Sequence, residues 1–196
     1  MMKRCFDSLV SLFALLILFP FLLVIGILIL IDSKGGVFYL QKRVGKNEKE
    51  FKLFKFRTMR PKSDQQGLLT VGGKDSRITN IGYFLRKYKI DELPQLFNVL
   101  LGHMSMVGPR PEVKKYTDLY NHEQKKVLSV KPGITDYASI LYFEENELLA
   151  KSAHPEETYI NKIMPAKLKL NQLYIENRGF FVDMTIIFKT LKRVFK

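Results

Sequence analysis

One segment decides the fold of this chain: IDELPQLFNVLLGHMSMVGPRP, running from Ile90 to Pro111. Because a proline inside a helix is tolerated only in the first turn, Pro94 places Asp91 at or near the helix N-cap. There the free backbone N–H groups and the helix dipole favour an anion. Apolar residues recur after that point at helical spacing, which predicts a helix with one buried face. The face consists of Leu93, Leu96, Phe97 and Leu100.

The adjacent carboxylates of Asp91 and Glu92 allow two interpretations. Asp is among the preferred N-cap residues, so Asp91 could be a cap and nothing more. Alternatively, the pair supplies an acidic nucleophile or metal ligand beside a phosphate. Arg110 favours the second interpretation, because Pro109 and Pro111 fix the backbone on both sides of a side chain suited to bidentate phosphate contact. A rigid turn with a solvated arginine would have the same sequence.

Charge and cysteine content limit the classes of function. The chain has 196 residues and a net charge of +13, which implies an acidic partner such as anionic lipid, nucleic acid or a phosphorylated substrate. The single cysteine, Cys5, excludes an internal disulfide, and the three histidines lack metal-ligand spacing. This length accommodates one domain of ordinary size and an appendage.

The appendage is the N-terminal segment, whose residues 9–31 include one polar side chain, Ser11. Its length fits a membrane-spanning helix. Pro20 in the middle removes a backbone hydrogen bond, and basic residues on both flanks keep both ends cytoplasmic by the positive-inside rule. A re-entrant helix–break–helix over residues 1–34 agrees with both observations, and a kinked single span is the alternative. In either case residues 35–196 form a cytoplasmic body.

The body is predicted to be α+β and mainly helical. Residues 37–40 and 51–59 are typical of strands, and Lys55 and Arg57 on the second strand share one face, toward solvent or an anion. Residues 61–80 are predicted to be a loop. Helices are expected over 81–90, from Pro111 to Val130, and over 157–177, the last interrupted or kinked at Pro165.

The C-terminal segment is predicted to be a basic amphipathic helix. Its apolar residues are Met184, Ile187, Phe188, Leu191, Val194 and Phe195, with Lys189, Lys192, Arg193 and Lys196 largely off that face. Such a helix can lie in a membrane interface or pack on a protein core. The apolar N-terminal segment favours the membrane interface.

Five ordered motifs together resemble the bacterial sugar transferases of the small monotopic phosphoglycosyl transferase family. They cover the chain from the membrane helix to about residue 140 in the order and spacing of that family. The motifs are QKRVG at 41–45, KFRTM at 55–59, DELPQLFNV at 91–99, GHMSMVGPRP at 102–111 and KPGIT at 131–135.

The resemblance implies transfer of a sugar 1-phosphate from a UDP-sugar to polyprenyl (undecaprenyl) phosphate with release of UMP. Asp91 would be the nucleophile that forms a phosphosugar–enzyme intermediate. Glu92 would help position Mg²⁺ or the dyad that Asp91 and Glu92 form, so both carboxylates are expected near the metal. Fixed cations among Lys55, Arg57 and Arg110 would neutralise the diphosphate. The resemblance also implies the re-entrant helix, at the inner membrane of a bacterium with the active site on the cytoplasmic face.

Two positions depart from the family pattern. Asp136 follows the KPGIT motif where family members often have Gly, and Phe19 precedes Pro20 where they have Ser. A serine could satisfy backbone groups freed by the proline, which Phe cannot do.

Two alternatives come from other classes, namely a membrane-tethered nucleic-acid-binding protein and a lipid-anchored scaffold. The first predicts exposed aromatics interleaved with basic residues on one surface, whereas the aromatics here lie mostly in apolar alternations. We therefore expect membrane lipids as partners and no nucleic acid. The sequence does not identify the sugar, the glycan pathway or the oligomeric state.

Overall fold

The computed structural model describes residues 2–194 except 62, 64–66, 68, 73 and 74. It confirms a mainly helical chain with small sheets. The strands are β1 (Phe38–Val44), β2 (Glu50–Phe56), β3 (Ser105–Val107) and β4 (Gly133–Thr135). The helices are α1 (Met2–Asp32), α2 (Asn80–Lys87), α3 (Gln95–Leu100), α4 (Lys114–Thr117), α5 (Tyr137–Leu141), α6 (Glu145–Ala150), α7 (Pro155–Thr158), α8 (Met164–Asn177) and α9 (Phe180–Val194).

The N-terminal apolar segment forms the single helix α1, which continues through Pro20. The helix is therefore unbroken at Pro20, and the re-entrant path expected for this segment stays a prediction. By length and composition α1 could cross a membrane, and only 22 % of its most apolar stretch is buried. It is a candidate membrane anchor.

The N-terminal end of α1 is fastened to the body by polar contacts. Arg4 donates to the carbonyl oxygen of Leu100 at 2.8 Å. The buried carboxylate of Asp7 accepts from the Ser105 hydroxyl at 2.8 Å and from the Met106 N–H at 3.1 Å. These bonds tie the first two turns of α1 to α3 and β3.

The C-terminal end of α1 packs on the same body through apolar contacts. Ile25 and Ile29 form a buried cluster with Phe56 of β2 and Leu85 of α2. The Asp32 carboxylate accepts from the N–H of Ile81 at 3.0 Å. Both ends of the apolar helix are thus attached to one body.

The two sheets set the frame of the site. β1 and β2 form an antiparallel hairpin, and β3 pairs with β4 in parallel. Both strands predicted for the hairpin are confirmed, with the first extended to Val44 and the second ending at Phe56. Beyond them, the described residues of the segment predicted to be a loop (61–80) lie in turns and in one bridge, from Ile78 to Met59, until Asn80 begins α2. Positions 62, 64–66, 68, 73 and 74 of this segment lie outside the described residues.

The long helix predicted from Pro111 to Val130 is wrong. The chain forms the single turn α4 and then a 3₁₀ helix over Gln124–Ser129. Asn121 and Gln124 exchange backbone-to-side-chain hydrogen bonds of 3.0 and 2.9 Å, which is the reciprocal pattern that starts a new helical turn. This capping pair separates the two elements.

The interruption predicted near Pro165 is confirmed. A π-helical turn over Tyr159–Ile163 joins α7 to α8, and Pro165 lies in the first turn of α8. The core of this part of the body includes Tyr116, Tyr159 and Leu168.

Helix α9 shows both of the environments considered for it. Ile186 is fully buried against the body, whereas Phe181 and Phe188 are 84 % and 70 % exposed. At its start, Phe180 lies edge-on to Phe6 of α1, with ring centroids 5.5 Å apart. One face therefore packs on the core and another leaves apolar side chains uncovered beside α1. Phe195 and Lys196, assigned to this helix from the sequence, lie outside the described residues.

Candidate active site

A short sequence of turns presents the two carboxylates. Beyond α2, Lys89 adopts a left-handed conformation with φ +55°, and Ile90–Glu92 form a 3₁₀ turn. The N-cap of α3 is Pro94 itself. Asp91 therefore lies near the start of α3, as predicted, but in the preceding 3₁₀ turn and not at the N-cap itself.

The buried face of α3 also differs from the predicted one. Leu96 and Val99 are buried as part of it, but Gln95 and Asn98 are buried too, and Phe97 is 37 % exposed. The physical reason is a pair of hydrogen bonds between Asn98 and the backbone of β2. The Asn98 side chain accepts from the N–H of Phe54 at 2.8 Å and donates to the carbonyl of Lys52 at 2.7 Å, so it rotates α3 toward β2.

The Asp91 carboxylate is buried without a structural task. The residue is 5 % exposed, and its Oδ1 has no hydrogen-bond partner among the described residues. Neither the 3₁₀ turn nor α3 receives a capping bond from it. A buried, unpaired carboxylate oxygen is costly, and its presence is typical of a functional group rather than of a cap.

Glu92, by contrast, is fully engaged in an ion cluster with Lys55 and Arg110. Lys55 Nζ lies 2.9 Å from Glu92 Oε1. Arg110 contacts both carboxylate oxygens, with its Nη1 3.0 Å from Oε2 and its Nη2 bonded to Oε1. The fork expected to bind phosphate thus holds Glu92 bidentately here.

Burial and charge separate the two carboxylates. Burial raises the pKa of Asp91, and Glu92 raises it further against the opposing charge of Lys55. Burial acts on Glu92 in the same direction, but Arg110 and Lys55 together outweigh it and hold the pKa of Glu92 well below its usual range. Burial also lowers the pKa of Lys55. The two side chains are thereby suited to different roles, Glu92 as a fixed anion and Asp91 as a group that exchanges partners.

Arg57 occupies a different place from the one that strand alternation predicts. It follows β2, and its guanidinium donates to carbonyl oxygens at the end of α1, at 2.7 Å to Ser33 and 3.2 Å to Ile29. It also bonds to the carbonyl of Lys34. Arg57 borders the cleft, but its guanidinium is used to cap α1. Lys55 and Arg57 are not directed at a common ligand.

A cleft of about 920 Å³ connects these groups to the membrane helix. Its described lining includes ten basic and four acidic side chains, so it favours an anionic ligand. One part of the wall is apolar and comes from the middle of α1 and the second half of α9. These apolar residues are Ala14, Leu18, Phe21, Ile187, Leu191 and Val194.

The dyad fits a magnesium ion held jointly with phosphate. The described part of the chain contains no group of three or more His, Cys, Asp or Glu side chains arranged for a metal. Mg²⁺, however, is commonly bound through one or two carboxylates with substrate phosphates and water completing the shell. Asp91 offers an unpartnered oxygen, and Glu92 Oε2 carries one bond.

Sequence reasoning missed two groups that hold the segment Pro109–Pro111. Arg43 donates to the carbonyl of Pro111 at 3.1 Å and lies 3.2 Å from Glu112. The Asp136 carboxylate accepts from the N–H of Arg110 at 3.1 Å. Arg43 belongs to a motif quoted from the sequence, and Asp136 stood out as a departure from the family pattern; neither signal identified the partner.

A family of known proteins matches the whole chain. The model of the family described as "Bacterial sugar transferase" covers residues 1–196. Similar relatives include the UDP-N-acetylgalactosamine-undecaprenyl-phosphate N-acetylgalactosaminephosphotransferase of Aeromonas hydrophila, 35 % identical over 98 % of this chain, and Exopolysaccharide production protein PSS of Rhizobium leguminosarum bv. phaseoli, 40 % identical over 97 %. A third is the UDP-glucose:undecaprenyl-phosphate glucose-1-phosphate transferase of Xanthomonas campestris pv. campestris, 37 % identical over 98 %.

These relatives differ in length. The chain spans 43 % of the Aeromonas protein and 38 % of the Xanthomonas protein, but 93 % of the Rhizobium protein. The matches give no support to a nucleic-acid-binding protein or a scaffold.

Proposed function

This chain belongs to the bacterial sugar transferase family, and we propose that it transfers a sugar 1-phosphate from a UDP-sugar to undecaprenyl phosphate, with Asp91 as the nucleophile. The observation that carries the proposal is the Asp91 carboxylate, buried and unpartnered among the described residues, beside a cluster of fixed charges in a basic cleft. Two relatives have names that describe this reaction type, with N-acetylgalactosamine and glucose as the sugars.

In the first step an Asp91 oxygen attacks the phosphorus that carries the sugar. A carboxylate–phosphorus bond forms, the bond between the two phosphates breaks, and UMP leaves with that electron pair. In the second step a phosphate oxygen of undecaprenyl phosphate attacks the same phosphorus and returns the Asp91 carboxylate. Dividing the transfer into two displacements gives each reactant its own approach to the phosphorus.

Fixed cations support both steps. Lys55 and Arg110 already hold Glu92 in place, so the negative charge beside Asp91 is neutralised before substrate enters. Lys55 and Arg110 together carry one positive charge more than Glu92, and this excess would neutralise part of the charge of an arriving diphosphate. Asp91 and Glu92 would hold Mg²⁺, which supplies further charge neutralisation on the phosphate oxygens.

The apolar wall supports a lipid acceptor. Undecaprenyl phosphate has a long hydrocarbon chain that must stay in lipid while its phosphate reaches Asp91. Side chains of α1 and α9 form the apolar part of the same cleft that contains the dyad. The acceptor would enter between these helices.

The contacts of α1 support a location on one side of the bacterial inner membrane. Arg4 and Asp7 near one end bind the body that Ile25 and Ile29 near the other end also contact. A polar body on both sides of the bilayer would be required if α1 crossed it. We infer that both ends of α1 lie at the cytoplasmic surface of the membrane, so that α1 either enters the bilayer and returns to that surface or lies along it. The body is then in the cytoplasm.

The direct test is a panel of UDP-sugars incubated with the purified membrane protein, undecaprenyl phosphate and Mg²⁺, followed by UMP release. The proposal expects release with at least one sugar and none with the Asp91→Asn variant. Equal release by both proteins would exclude Asp91 as the nucleophile. A lipid-anchored scaffold would release no UMP with any sugar.

A further inference from the structure

The segment Pro109–Pro111 has one main-chain hydrogen-bond donor. Proline has no N–H, so Arg110 carries the only backbone N–H of these three residues. That N–H is bonded to Asp136 Oδ2 at 3.1 Å. The position of the segment therefore depends on a side chain from a distant part of the sequence.

Asp136 is well placed to act as such an anchor. It follows β4 directly and is fully buried. Its second oxygen, Oδ1, accepts from the N–H of Ser139 and caps α5. One carboxylate thus joins β4, α5 and Arg110, and each oxygen has a separate backbone donor.

Main-chain hydrogen bonds beside Asp136 hold Gly108 and Pro109, the two residues before Arg110. The N–H of Gly108 donates to the carbonyl of Thr135 at 3.0 Å, and the N–H of Gly133 donates to the carbonyl of Pro109 at 3.0 Å. The backbones approach so closely that a Cβ at Gly133 would lie 2.1 Å from the Gly108 nitrogen. To these main-chain bonds Asp136 adds a side-chain bond to the N–H of Arg110.

We propose that Asp136 is a positioning residue, which fixes the root of the Arg110 side chain so that its guanidinium meets the carboxylate of Glu92 and the phosphate of the substrate. The part that concerns substrate rests on the proposed function. The part that concerns Arg110 rests on the geometry alone. Arg110 reaches Glu92 with two N–H groups, and bidentate contact is sensitive to where the side chain begins.

The chemistry explains why a carboxylate is needed at position 136. Two N–H donors converge on it, and Asp offers one acceptor oxygen to each. In Asp136→Asn the amide NH₂ would face one of the two donors and could not accept a hydrogen bond from it. In Asp136→Ser a single hydroxyl oxygen would remain. Both residues are preferred N-caps, and Ser139 is the closer donor, at 2.5 Å, so we expect each variant to keep the α5 cap and lose the Arg110 anchor.

The first measurement is amide hydrogen exchange at Arg110 in the full-length protein in nanodiscs, without any substrate. The proposal expects slow exchange in the unmodified protein and exchange at least tenfold faster in both Asp136 variants. Asp118→Asn is the matched control, since it removes the same charge from an exposed carboxylate paired with Lys114. Fast exchange in the unmodified protein, or unchanged exchange in a folded Asp136 variant, would overturn the proposal.

The second measurement is a double-mutant cycle in UMP release. We expect Asp136→Asn to lower kcat/KM about ten- to a hundred-fold when Arg110 is present and to have little further effect in an Arg110→Gln background. An equal loss in both backgrounds would mean that Asp136 acts on the fold and not through Arg110. A protein without UMP release would refute the proposed function, while the exchange measurement would still decide the role of Asp136.

Discussion

Replacing Arg110 by lysine tests the ion cluster at the centre of the site. The guanidinium makes two bonds to the carboxylate of Glu92, and Lys55 makes a third. A lysine at this position would keep the charge but could make only one of the two parallel bonds. A hydrogen bond to a charged group contributes about 1.5–3 kcal/mol.

The exposure of Arg110 selects the lower part of that range. Its side chain is 31 % exposed, so solvent screens it more than Lys55 or Glu92, at 16 % and 12 %. A loss of about 1.5 kcal/mol corresponds to roughly a tenfold fall in kcat/KM. Arg110→Ala would lose both bonds, about 3 kcal/mol, or on the order of a hundredfold.

The assay is steady-state UMP release with the sugar nucleotide found active in the panel, with melting temperatures measured in parallel. Lys114→Ala serves as the control, because it also removes a cation but from an exposed surface pair. We expect this control to stay within about twofold of the unmodified protein. An Arg110→Lys variant within the same twofold would mean that the bidentate contact of Arg110 does not support turnover, and so would an Ala variant no worse than the Lys variant.

Three further predictions concern charge and topology. Because burial raises the pKa of Asp91, the ionised carboxylate destabilises the fold above that pKa. Asp91→Asn should therefore raise Tm at neutral pH, and the gain in Tm should shrink as pH falls. An unchanged or lower Tm at neutral pH would contradict this prediction. The kcat/KM of the enzyme should fall as pH decreases through the raised pKa of Asp91. Because the charge of Lys55 lowers the pKa of Asp91, Lys55→Met should move this fall in kcat/KM to higher pH. A fall that moves to lower pH in Lys55→Met would contradict this prediction. The sole cysteine, Cys5, is exposed and should react with an impermeant maleimide only after cells are opened. A cysteine placed at Lys49 of the body, in a Cys5→Ser background, should behave in the same way. Reaction of Cys5 in intact cells, without reaction at position 49, would show that α1 crosses the membrane.

The sequence was most informative where periodicity and motifs act locally. The apolar run that forms α1, the hairpin strands and the interruption near Pro165 follow from hydrophobic pattern and proline chemistry, and the structure has all three. The pairing of Asp91 with Glu92 was also evident, because the residues are adjacent. Local rules suffice for features of this kind.

Tertiary contacts decided the rest. Arg57 shares strand alternation with Lys55, but the carbonyl groups at the end of α1 attract its guanidinium. Arg110 was expected to await phosphate, whereas Glu92 already holds it. The anchor at Asp136 lies 26 positions from Arg110, a separation that no local pattern spans. In each case the partner is remote in sequence, so spacing alone could not identify it.

The covalent phosphosugar intermediate on Asp91 can be trapped by omitting the acceptor. The protein is incubated with the active UDP-sugar and Mg²⁺ but without undecaprenyl phosphate, quenched, digested and analysed by mass spectrometry. We expect UMP release limited to about one equivalent per active site and a sugar-phosphate adduct on the peptide that contains Asp91, absent from Asp91→Asn. Turnover with acceptor, but neither stoichiometric UMP release nor an adduct without acceptor, would exclude a covalent intermediate. An adduct on another residue would exclude Asp91 as the nucleophile.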